Sequence, residues 1–293
     1  MVVLVTGANG QLGQSIQFIA DQHPTIQFVY TDFQEMDITN IESCQAVFAA
    51  NKPQFCINTA AYTAVDKAEV EPEKAHLINA VGPENLAKVC KEFDTVLLHI
   101  STDFIFSGEN RITSSGVEMP YSEADIPDPK SVYGQTKWDG EIAIQKNWEK
   151  HFIVRTSWVY SQFGNNFLKT MLRLASERDS LSVVSDQIGT PTNAVDLAET
   201  LLYIIEYCQT EPVEVFGIYN FSNEGQCSWY DFAAAIFHQK EILMDLKPIP
   251  TSEYPTLAQR PAYSVLDKSK IKNVFSIEIL DWKESLKKVI ISS

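Results

Sequence analysis

The sequence predicts an α/β fold, with a doubly wound parallel sheet and a second, smaller α/β domain. Three observations support this prediction. Short apolar runs alternate with helix-like stretches through the first half of the 293 residues. A glycine-rich turn separates the first apolar run from the first helix. The alternation becomes irregular after residue 155, and the length suits a large domain with a smaller partner.

The apolar runs, bounded by polar turns, give the expected strands in order. These strands are residues 2–5, 27–30, 55–58, 95–100, 152–155 and 217–221. Stretches with helical periodicity lie between them. The expected helices are residues 11–20, 41–50, 64–93 with breaks near Pro72 and Gly82-Pro83, a helix from about 131, and 194–208.

Two domains are expected from this order of elements. Residues 1–155 form the first, and residues 193–222 return to its sheet. Residues 156–192 and 223–293 form the second. Residues 107–130 are rich in Ser, Gly, Pro and acidic residues, and a loop of this length in a compact fold is usually functional.

Composition excludes several classes of protein. The net charge of -15 argues against a nucleic-acid surface, which needs a basic stripe. The five cysteines are scattered and no Cys/His cluster has metal-ligand spacing, so no metal site is predicted. No apolar run is long enough for a membrane helix, and the N-terminus lacks signal-peptide features. We therefore expect a cytoplasmic protein without membrane or nucleic-acid partners.

The glycine-rich turn at residues 7–13 reads G-A-N-G-Q-L-G between a strand and a helix. Gly7 allows a tight turn, Gly10 lets the backbone approach a pyrophosphate, and Gly13 lets the helix pack against the strand. The pyrophosphate would lie at the positive end of the helix. This context indicates a Rossmann-type dinucleotide site, including Gln11 and Leu12.

Asp32 lies 19 residues after Gly13, at the end of the second expected strand. A carboxylate there accepts hydrogen bonds from the adenosine ribose and repels a 2′-phosphate, so it favours NADH over NADPH mildly. The alternative is a carboxylate that caps a turn. Asp37 and Ile38 are candidates for the adenine pocket, and residues 60–62 are expected beside the middle of the cofactor.

Tyr133 and Lys137 form a Y-x-x-x-K pair on one face of an expected helix. An ammonium group near a phenol and the positive nicotinamide of the oxidised cofactor both favour the phenolate, so we expect Lys137 and the bound cofactor to lower the pKa of Tyr133. Tyr133 would then act as the acid/base group, and Lys137 would also bind the nicotinamide ribose. An exposed helix produces such pairs by chance, so the pair gains weight only from its surroundings.

Those surroundings include Ser101-Thr102-Asp103, at the carboxyl end of the fourth expected strand. Open α/β sheets bind ligands at that edge. The Thr102 hydroxyl could hydrogen-bond a substrate carbonyl as negative charge develops on its oxygen, and Thr102 is therefore the third candidate catalytic residue. The alternative is a turn that closes the strand.

The glycine-rich turn, the Ser/Thr after the fourth strand and the Y-x-x-x-K pair resemble those of the extended short-chain dehydrogenase/reductases. Within that superfamily, the chain resembles the dTDP-4-dehydrorhamnose reductases. The second resemblance runs almost from end to end. It rests on the segments at residues 58–69, 101–106, 132–137, 155–160, 164–167, 187–192 and 260–264.

The resemblance implies a function and a set of site residues. It implies reduction of the 4-keto group of dTDP-4-dehydro-L-rhamnose, giving dTDP-L-rhamnose with NADPH or NADH. Substrate contacts are implied for Thr102, Asp103 and Trp158. Cofactor contacts are implied for Gly10, Gln11, Leu12, Asp32, Asp37, Ile38, Ala61, Tyr62, Thr63, Tyr133 and Lys137; Ala60 joins this set as its chain neighbour.

Two departures from the family matter. Phe104 stands where the family usually has Tyr, so one hydroxyl is missing near the substrate. Some members form a metal-bridged dimer through an acidic residue at the position of Ser15, so a homodimer is expected without that metal. Related dehydratases need a second carboxylate after the Thr-Asp pair. Phe104 occupies that position, which favours a simple reductase.

Other assignments stay open from the sequence. Trp158 could pack in the core or contact the substrate. Arg260 could bind a phosphate or make an ion pair. Asn166 is assigned to the substrate site together with these two residues. The alternative functions are another nucleotide-sugar 4-reductase or epimerase, and a regulatory protein resembling the beta subunit of methionine adenosyltransferase, which keeps the same Y-x-x-x-K.

Overall fold

The computed structural model describes residues 1–109, 112, 116, 118–210 and 215–292. The expected loop at 107–130 therefore lies partly outside the described residues. The strands within the described residues are β1 (Val2–Thr6), β2 (Gln27–Tyr30), β3 (Phe55–Asn58), β4 (Val96–Thr102), β5 (His151–Thr156), β6 (Val159–Tyr160), β7 (Ser180–Val184), β8 (Ile188–Gly189), β9 (Thr192–Asn193), β10 (Gly217–Asn220), β11 (Cys227–Ser228) and β12 (Asp245–Ile249).

Helices connect most of these strands. They are α1 (Gln11–Ile19), α2 (Ile41–Asn51), α3 (Val65–Ala68), α4 (Pro72–His76), α5 (Gly82–Phe93), α6 (Val132–Asn147), α7 (Phe167–Glu177), α8 (Ala194–Thr210), α9 (Trp229–Gln239), α10 (Ser269–Phe275) and α11 (Trp282–Ser292).

The main sheet is parallel, with the strand order β2-β1-β3-β4-β5-β10. This confirms the predicted doubly wound α/β fold. The chain leaves β1 toward β2 on one side and returns to β3 on the other, so the strand order reverses between β1 and β3. Ligands of open α/β sheets bind outside the carboxyl ends of the strands at such a reversal. The glycine-rich turn lies there.

Helices cover both faces of this sheet. On one face α1 and α8 pack against strands through buried apolar side chains such as Ile16 and Leu201. Ile271 and Phe275 of α10 join the same cluster, so part of the C-terminal region packs against the main sheet. On the other face α2, α5 and α6 contribute side chains such as Phe48, Leu86 and Ile144. The two apolar layers fix the strand ends that carry the candidate site.

The stretch at 64–93 is more irregular than the sequence predicts. Two short helices, α3 and α4, are followed by a π-helical turn at Leu77–Val81, and α5 continues without a break at Gly82. Pro83 is tolerated because it lies in the first turn of α5, where a backbone N–H is not needed. A π turn inserts an extra residue and often marks a functional site.

Smaller strand pairs form a second packing unit beside the sheet. Strand β12 pairs with β7, β11 with β8, and β9 with β6. Their apolar cluster brings α7, α9 and α11 together around Phe232 and Leu286. Within the described residues, no helix combines the length and the apolar character that crossing a membrane requires.

Candidate active site

The glycine-rich turn has the geometry that its sequence predicts. Gly7 has a φ of 63°, and a Cβ added there would lie 2.7 Å from backbone atoms of Ala60. A Cβ at Gly13 would lie 2.5 Å from Cα of Ala8. Gly10 is the N-cap of α1, and no side chain caps the helix. The first N–H groups of α1 are therefore free to bind an anion.

Asp32 follows β2 directly and faces this turn. Its Oδ2 accepts a hydrogen bond from Asn9 N at 3.0 Å, and its Oδ1 accepts one from Phe33 N at 2.8 Å. The carboxylate therefore both caps a turn and borders the glycine turn, so the two sequence interpretations are compatible. The carboxylate of Asp37 instead accepts hydrogen bonds from the backbone and hydroxyl of Thr39.

Ile38 is buried against the start of α5. A Cβ at Gly82 would lie 2.7 Å from Cδ1 of Ile38, so the absence of a side chain at Gly82 allows this contact. The backbone carbonyl of Ile38 accepts a hydrogen bond from Nδ2 of Asn85. Ile38 belongs to the apolar cluster between the sheet and helices α2, α5 and α6, with 6% of its surface exposed.

The segment after β3 is held by Asn79, which the sequence analysis missed. Asn79 Oδ1 accepts a hydrogen bond from Tyr62 N at 2.8 Å, and Asn79 Nδ2 donates to Tyr62 O at 3.0 Å. Nδ2 also donates to Thr136 Oγ1 at 3.1 Å, on α6. The amide thereby fixes residues 60–63 beside the helix of Tyr133. In the sequence, the signal for Asn79 is a polar residue three positions before the Gly82-Pro83 pair.

Thr102 and Tyr133 meet at the carboxyl end of β4. The Thr102 hydroxyl donates to Asp103 Oδ1 at 3.0 Å and accepts from Phe104 N at 3.2 Å. The Tyr133 phenol lies close enough to the Thr102 hydroxyl for that group to lower its pKa. A Cβ at Gly134 would lie 2.2 Å from Phe104 O, so glycine there lets the start of α6 approach β4. The structure therefore brings two of the three candidate catalytic residues together.

For the Lys137 part of the expectation the structure differs, because burial, Thr102 and Asp103 determine the pKa of Tyr133. Burial raises the pKa of the Tyr133 phenol to about 12; the hydrogen bond to Thr102 lowers it, and the charge of Asp103 raises it further. Lys137 Nζ does not offset these effects because it points toward β4, where it donates to Ile100 O at 2.6 Å. Tyr133 is therefore protonated at neutral pH, and its phenol is a weaker acid than that of a free tyrosine.

Lys137 is itself buried, with 2% of its surface exposed. Its Nζ lies 3.2 Å from His99 Nε2. Burial lowers the pKa of Lys137 to about 8, and the charge of Glu141 opposes this shift. Lys137 therefore changes its charge at a much lower pH than an exposed lysine does.

Asp103 carries an unusual carboxyl group. Its Oδ2 is buried without a hydrogen-bond partner, while Oδ1 accepts from Thr102. Burial raises the pKa of Asp103 to about 6, against the lowering effect of the hydroxyls of Ser264 and Thr102. An unsatisfied oxygen next to Thr102 and Tyr133 can accept a hydrogen bond from a sugar hydroxyl.

A buried ion pair connects two strands and a helix at this end of the sheet. Arg155 NH2 lies 2.7 Å from Glu141 Oε2, and both side chains are almost completely buried. The Ser101 hydroxyl donates to Glu141 Oε1. The pair joins β5 to α6 and β4, so it fixes the strand that carries Thr102 to the helix that carries Tyr133. The sequence analysis missed this pair.

The other substrate candidates lie in different surroundings. Trp158 has a φ of 47° and stacks on Trp229, with ring centroids 3.6 Å apart. Asn166 caps α7 by accepting from Lys169 N, and its Nδ2 donates to Gln11 Oε1 at 2.9 Å. This ties the start of α1 to α7.

Arg260 forms an ion pair instead of facing an open anion site. Its NH2 lies 2.6 Å from Asp66 Oδ2, and its guanidinium lies 5.8 Å from the ring centroid of Phe104. Phe104 in turn packs edge-on against Tyr133. Of the two possibilities for Arg260, this structure contains the ion pair, at the rim of the candidate site.

Comparison with known proteins agrees with the resemblance. The family model described as the RmlD substrate binding domain matches residues 1–293. A dTDP-4-dehydrorhamnose reductase of Aggregatibacter actinomycetemcomitans is 42% identical over 293 residues, covering 98% of this chain and 97% of the relative. A solved dTDP-4-dehydrorhamnose reductase of Clostridium acetobutylicum has 41% identity and a TM-score of 0.92, covering 100% and 99% of the two chains.

A second solved structure, of the dTDP-4-dehydrorhamnose reductase of Bacillus anthracis in complex with NADP, has 37% identity and a TM-score of 0.92. The alignment covers 100% of this chain and 99% of that one. These similarities extend over the whole chain, through the glycine turn, the end of β4 and the Tyr133 helix. The chain belongs to the dTDP-4-dehydrorhamnose reductase family.

Proposed function

We propose that this chain reduces the 4-keto group of dTDP-4-dehydro-L-rhamnose to give dTDP-L-rhamnose, with NADPH or NADH as reductant. One observation carries the proposal: α6 packs closely on the carboxyl end of β4 at Gly134 and Phe104, which places the phenol of Tyr133 near the hydroxyl of Thr102. A carbonyl oxygen held between these hydroxyls would be polarised and protonated at one place.

The residues at the switch point fit a dinucleotide. A Cβ would fill the backbone cradle at Gly7 and Gly13, and the start of α1 is uncapped. Pyrophosphate would lie against residues 7–13, the adenosine ribose near Asp32, and the adenine near Asp37 and Ile38. Residues 60–63 and Lys137 would border the nicotinamide half. When bound, the reduced nicotinamide supplies a hydride.

The chain's own residues would do the remaining work. Tyr133, a protonated phenol at neutral pH, gives its proton to the C4 oxygen. The Thr102 hydroxyl would turn its hydrogen from Asp103 Oδ1 to the same oxygen, and Asp103 would accept from a neighbouring sugar hydroxyl through Oδ2. Lys137 lies on the same helix, and its charged Nζ would stabilise the phenolate that Tyr133 becomes by turning from Ile100 O toward it. Phe104 provides no carboxylate, so elimination of water from the sugar lacks its acid/base partner.

We also propose roles for the larger parts of the chain. Residues 1–155 and 193–222 would hold the cofactor, supported by the pairing of β10 with β5. Residues 156–192 and most of 223–293 would hold the nucleotide sugar through Trp158, Asn166 and Arg260; the α10 segment is excepted because it packs on the main sheet. We further propose that the protein acts in the cytoplasm as a homodimer.

Turnover by the purified protein tests the function. Loss of NADPH or NADH absorbance is followed with dTDP-4-dehydro-L-rhamnose, and the sugar product is identified by NMR. The UDP-linked 4-keto sugar is the matched control. Preferential oxidation of the cofactor with the dTDP sugar, with dTDP-L-rhamnose as product, supports the proposal.

Three other outcomes would contradict it. Equal or better turnover of the UDP sugar would indicate a different nucleotide-sugar reductase. Interconversion of 4-epimers without net oxidation of the cofactor would indicate an epimerase. No turnover of either sugar, together with tight binding to a methionine adenosyltransferase, would indicate a regulatory protein.

A further inference from the structure

A chain of buried polar side chains leads from the cofactor edge of the sheet to Lys137. Thr6 Oγ1 donates to Asn58 Oδ1 at 2.6 Å, Asn58 Nδ2 lies 2.9 Å from His99 Nδ1, and His99 Nε2 lies 3.2 Å from Lys137 Nζ. Thr6, Asn58 and His99 lie on the adjacent strands β1, β3 and β4 and are almost completely buried. The proposed mechanism uses none of these three.

The orientation of the Asn58 amide decides where His99 carries its hydrogen. The backbone N–H of Ala60 lies 3.2 Å from Asn58 Oδ1, and a backbone N–H can only donate. The carbonyl oxygen of Asn58 must therefore face Ala60 and Thr6, and its NH₂ group must face His99. His99 Nδ1 then accepts a hydrogen bond and carries no hydrogen.

His99 must hold a single hydrogen. Burial lowers its pKa well below the usual value, and the charges of Lys137 and His151 lower it further. A neutral imidazole without hydrogen on Nδ1 has it on Nε2, which faces Lys137 Nζ. An amine at Lys137 accepts this hydrogen and still donates to Ile100 O. An ammonium has no lone pair to accept it.

We propose that His99 is a positioning residue for Lys137: by offering a hydrogen from Nε2, it favours the amine form of Lys137 in the free protein. The inference rests on the proposed function in one respect, namely that charged Lys137 serves proton donation by Tyr133. The activity should then fall as pH rises through the ionisation of Lys137, well below the pH at which an exposed lysine would lose its charge.

The other ionisable groups around Lys137 are consistent with this role. On its own helix, Glu141 favours the ammonium, but its carboxylate is shared with Arg155 of β5. A positive charge on His151 of β5 lowers the pKa of His99, as the charge of Lys137 does. Burial, the dominant effect, lowers the pKa of Lys137 to about 8. The His99 hydrogen adds to burial in favouring the amine.

The first test measures the hydrogen position directly, without substrate. Long-range ¹H–¹⁵N NMR of ¹⁵N-histidine-labelled protein at neutral pH distinguishes a bare ring nitrogen from a protonated one. The His99→Gln variant assigns the His99 signals among the five histidines. We expect a bare Nδ1 and a protonated Nε2. A hydrogen on Nδ1, alone or with one on Nε2, would overturn the proposal whether or not the protein turns over sugars.

The second test moves the hydrogen. In Asn58→Asp, the new carboxylate accepts from Nδ1, so the hydrogen leaves Nε2 and the lone pair there accepts from an ammonium at Lys137. We expect the NMR tautomer to switch, and the alkaline limb of kcat/KM to move upward by about one pH unit or more. Thr95→Val, which removes a buried hydroxyl before β4, is the control variant and should leave the limb in place.

The added charge of the aspartate is separated from the tautomer by a double variant. Asn58→Asp with His99→Leu keeps the charge but lacks the imidazole. A smaller shift of the limb than in Asn58→Asp alone supports the role of His99. An equal shift, or an unmoved limb in a folded Asn58→Asp protein, would overturn it. If no sugar is turned over, ¹⁵N-lysine NMR follows the ionisation of Lys137 in the same variants.

Discussion

Asp32 Oδ2 accepts a hydrogen bond of 3.0 Å from the backbone of Asn9, so the end of β2 and the glycine turn share one surface. This contact places a negative charge where the adenosine ribose of a dinucleotide would lie. It would disfavour a 2′-phosphate and favour free ribose hydroxyls, whereas the Bacillus anthracis relative was solved in complex with NADP.

Asp32→Ser should therefore change the choice of cofactor. Hydrogen bonds to a charged group contribute about 1.5–3 kcal/mol, so the Kd for NADH should rise roughly 10-fold to 100-fold. The Kd for NADPH should rise less or fall, because the repulsion is removed. Fluorescence titration with both cofactors measures the ratio, with Glu42→Gln on α2 as control. An unchanged ratio of the two Kd values would show that Asp32 does not contact the cofactor.

Tyr133→Phe should remove the proton donor and leave the fold intact. We expect kcat to fall by about 100-fold to 10,000-fold, the usual contribution of a positioned acid, while the Kd for cofactor stays close to that of the wild type. Tyr207→Phe, on α8, is a matched loss of a hydroxyl and should keep full turnover. Near wild-type kcat in Tyr133→Phe would show that another group donates the proton.

Alanine at two glycines of the turn should separate folding from binding. A Cβ at Gly13 would lie 2.5 Å from Ala8 Cα and 2.6 Å from Gly7 O, so Gly13→Ala should cost several kcal/mol of stability. A Cβ at Gly10 meets only Gly7 O, at 3.2 Å, so Gly10→Ala should stay folded but bind cofactor at least tenfold more weakly. Urea unfolding and cofactor titration measure both. Normal binding by Gly10→Ala would argue against pyrophosphate at this turn.

Asp103 should make stability depend on pH. Its folded pKa of about 6 lies above its ordinary value, so the folded protein binds the extra proton more strongly. The associated stability is complete below about pH 4 and is lost as pH rises through about 6. Asp103→Asn should therefore gain stability relative to the wild type between these pH values, by roughly 3 kcal/mol at most. Denaturant unfolding at both pH values measures the gain, and a gain that is equal at both would contradict it.

Glu141→Gln should expose the cost of the buried ion pair. Arg155 would keep its charge in a buried position without a carboxylate, which typically costs about 3–5 kcal/mol. The exposed pair Arg173–Glu177 provides the control, since Glu177→Gln should change stability by about 0–1 kcal/mol. Urea unfolding compares the two. Similar small losses in both variants would mean that water reaches Arg155.

The sequence was sufficient to predict the sheet and the glycine turn because both depend on local patterns. Apolar runs mark the parallel strands, and Gly7 and Gly13 are glycines because neighbouring backbone leaves no room for a Cβ. Tyr133 and Lys137 could be proposed from the sequence because residues four apart lie on the same face of a helix. Their pKa values were not predictable, since burial dominates both and depends on the packing of distant segments.

The missed residues share a different property. Asn79 acts on residues 60–63 from a π turn, and His99 acts across three strands, so neither belongs to a contiguous motif. The only local signal for His99 is a polar side chain inside an apolar strand. The partner of Arg260 was not predictable for a similar reason: Asp66 is 194 residues away in the chain.

Trp158 and Trp229 also give this protein an intrinsic optical probe. Their indole rings are nearly parallel, with an interplanar angle of 10°, and their centroids are 3.6 Å apart. The electronic transitions of rings this close couple, and the coupling contributes a circular dichroism band whose size depends on the twist between the two indoles. Any ligand that displaces Trp158 from its partner would weaken this band, so sugar binding can be followed without a label and in the absence of reductant.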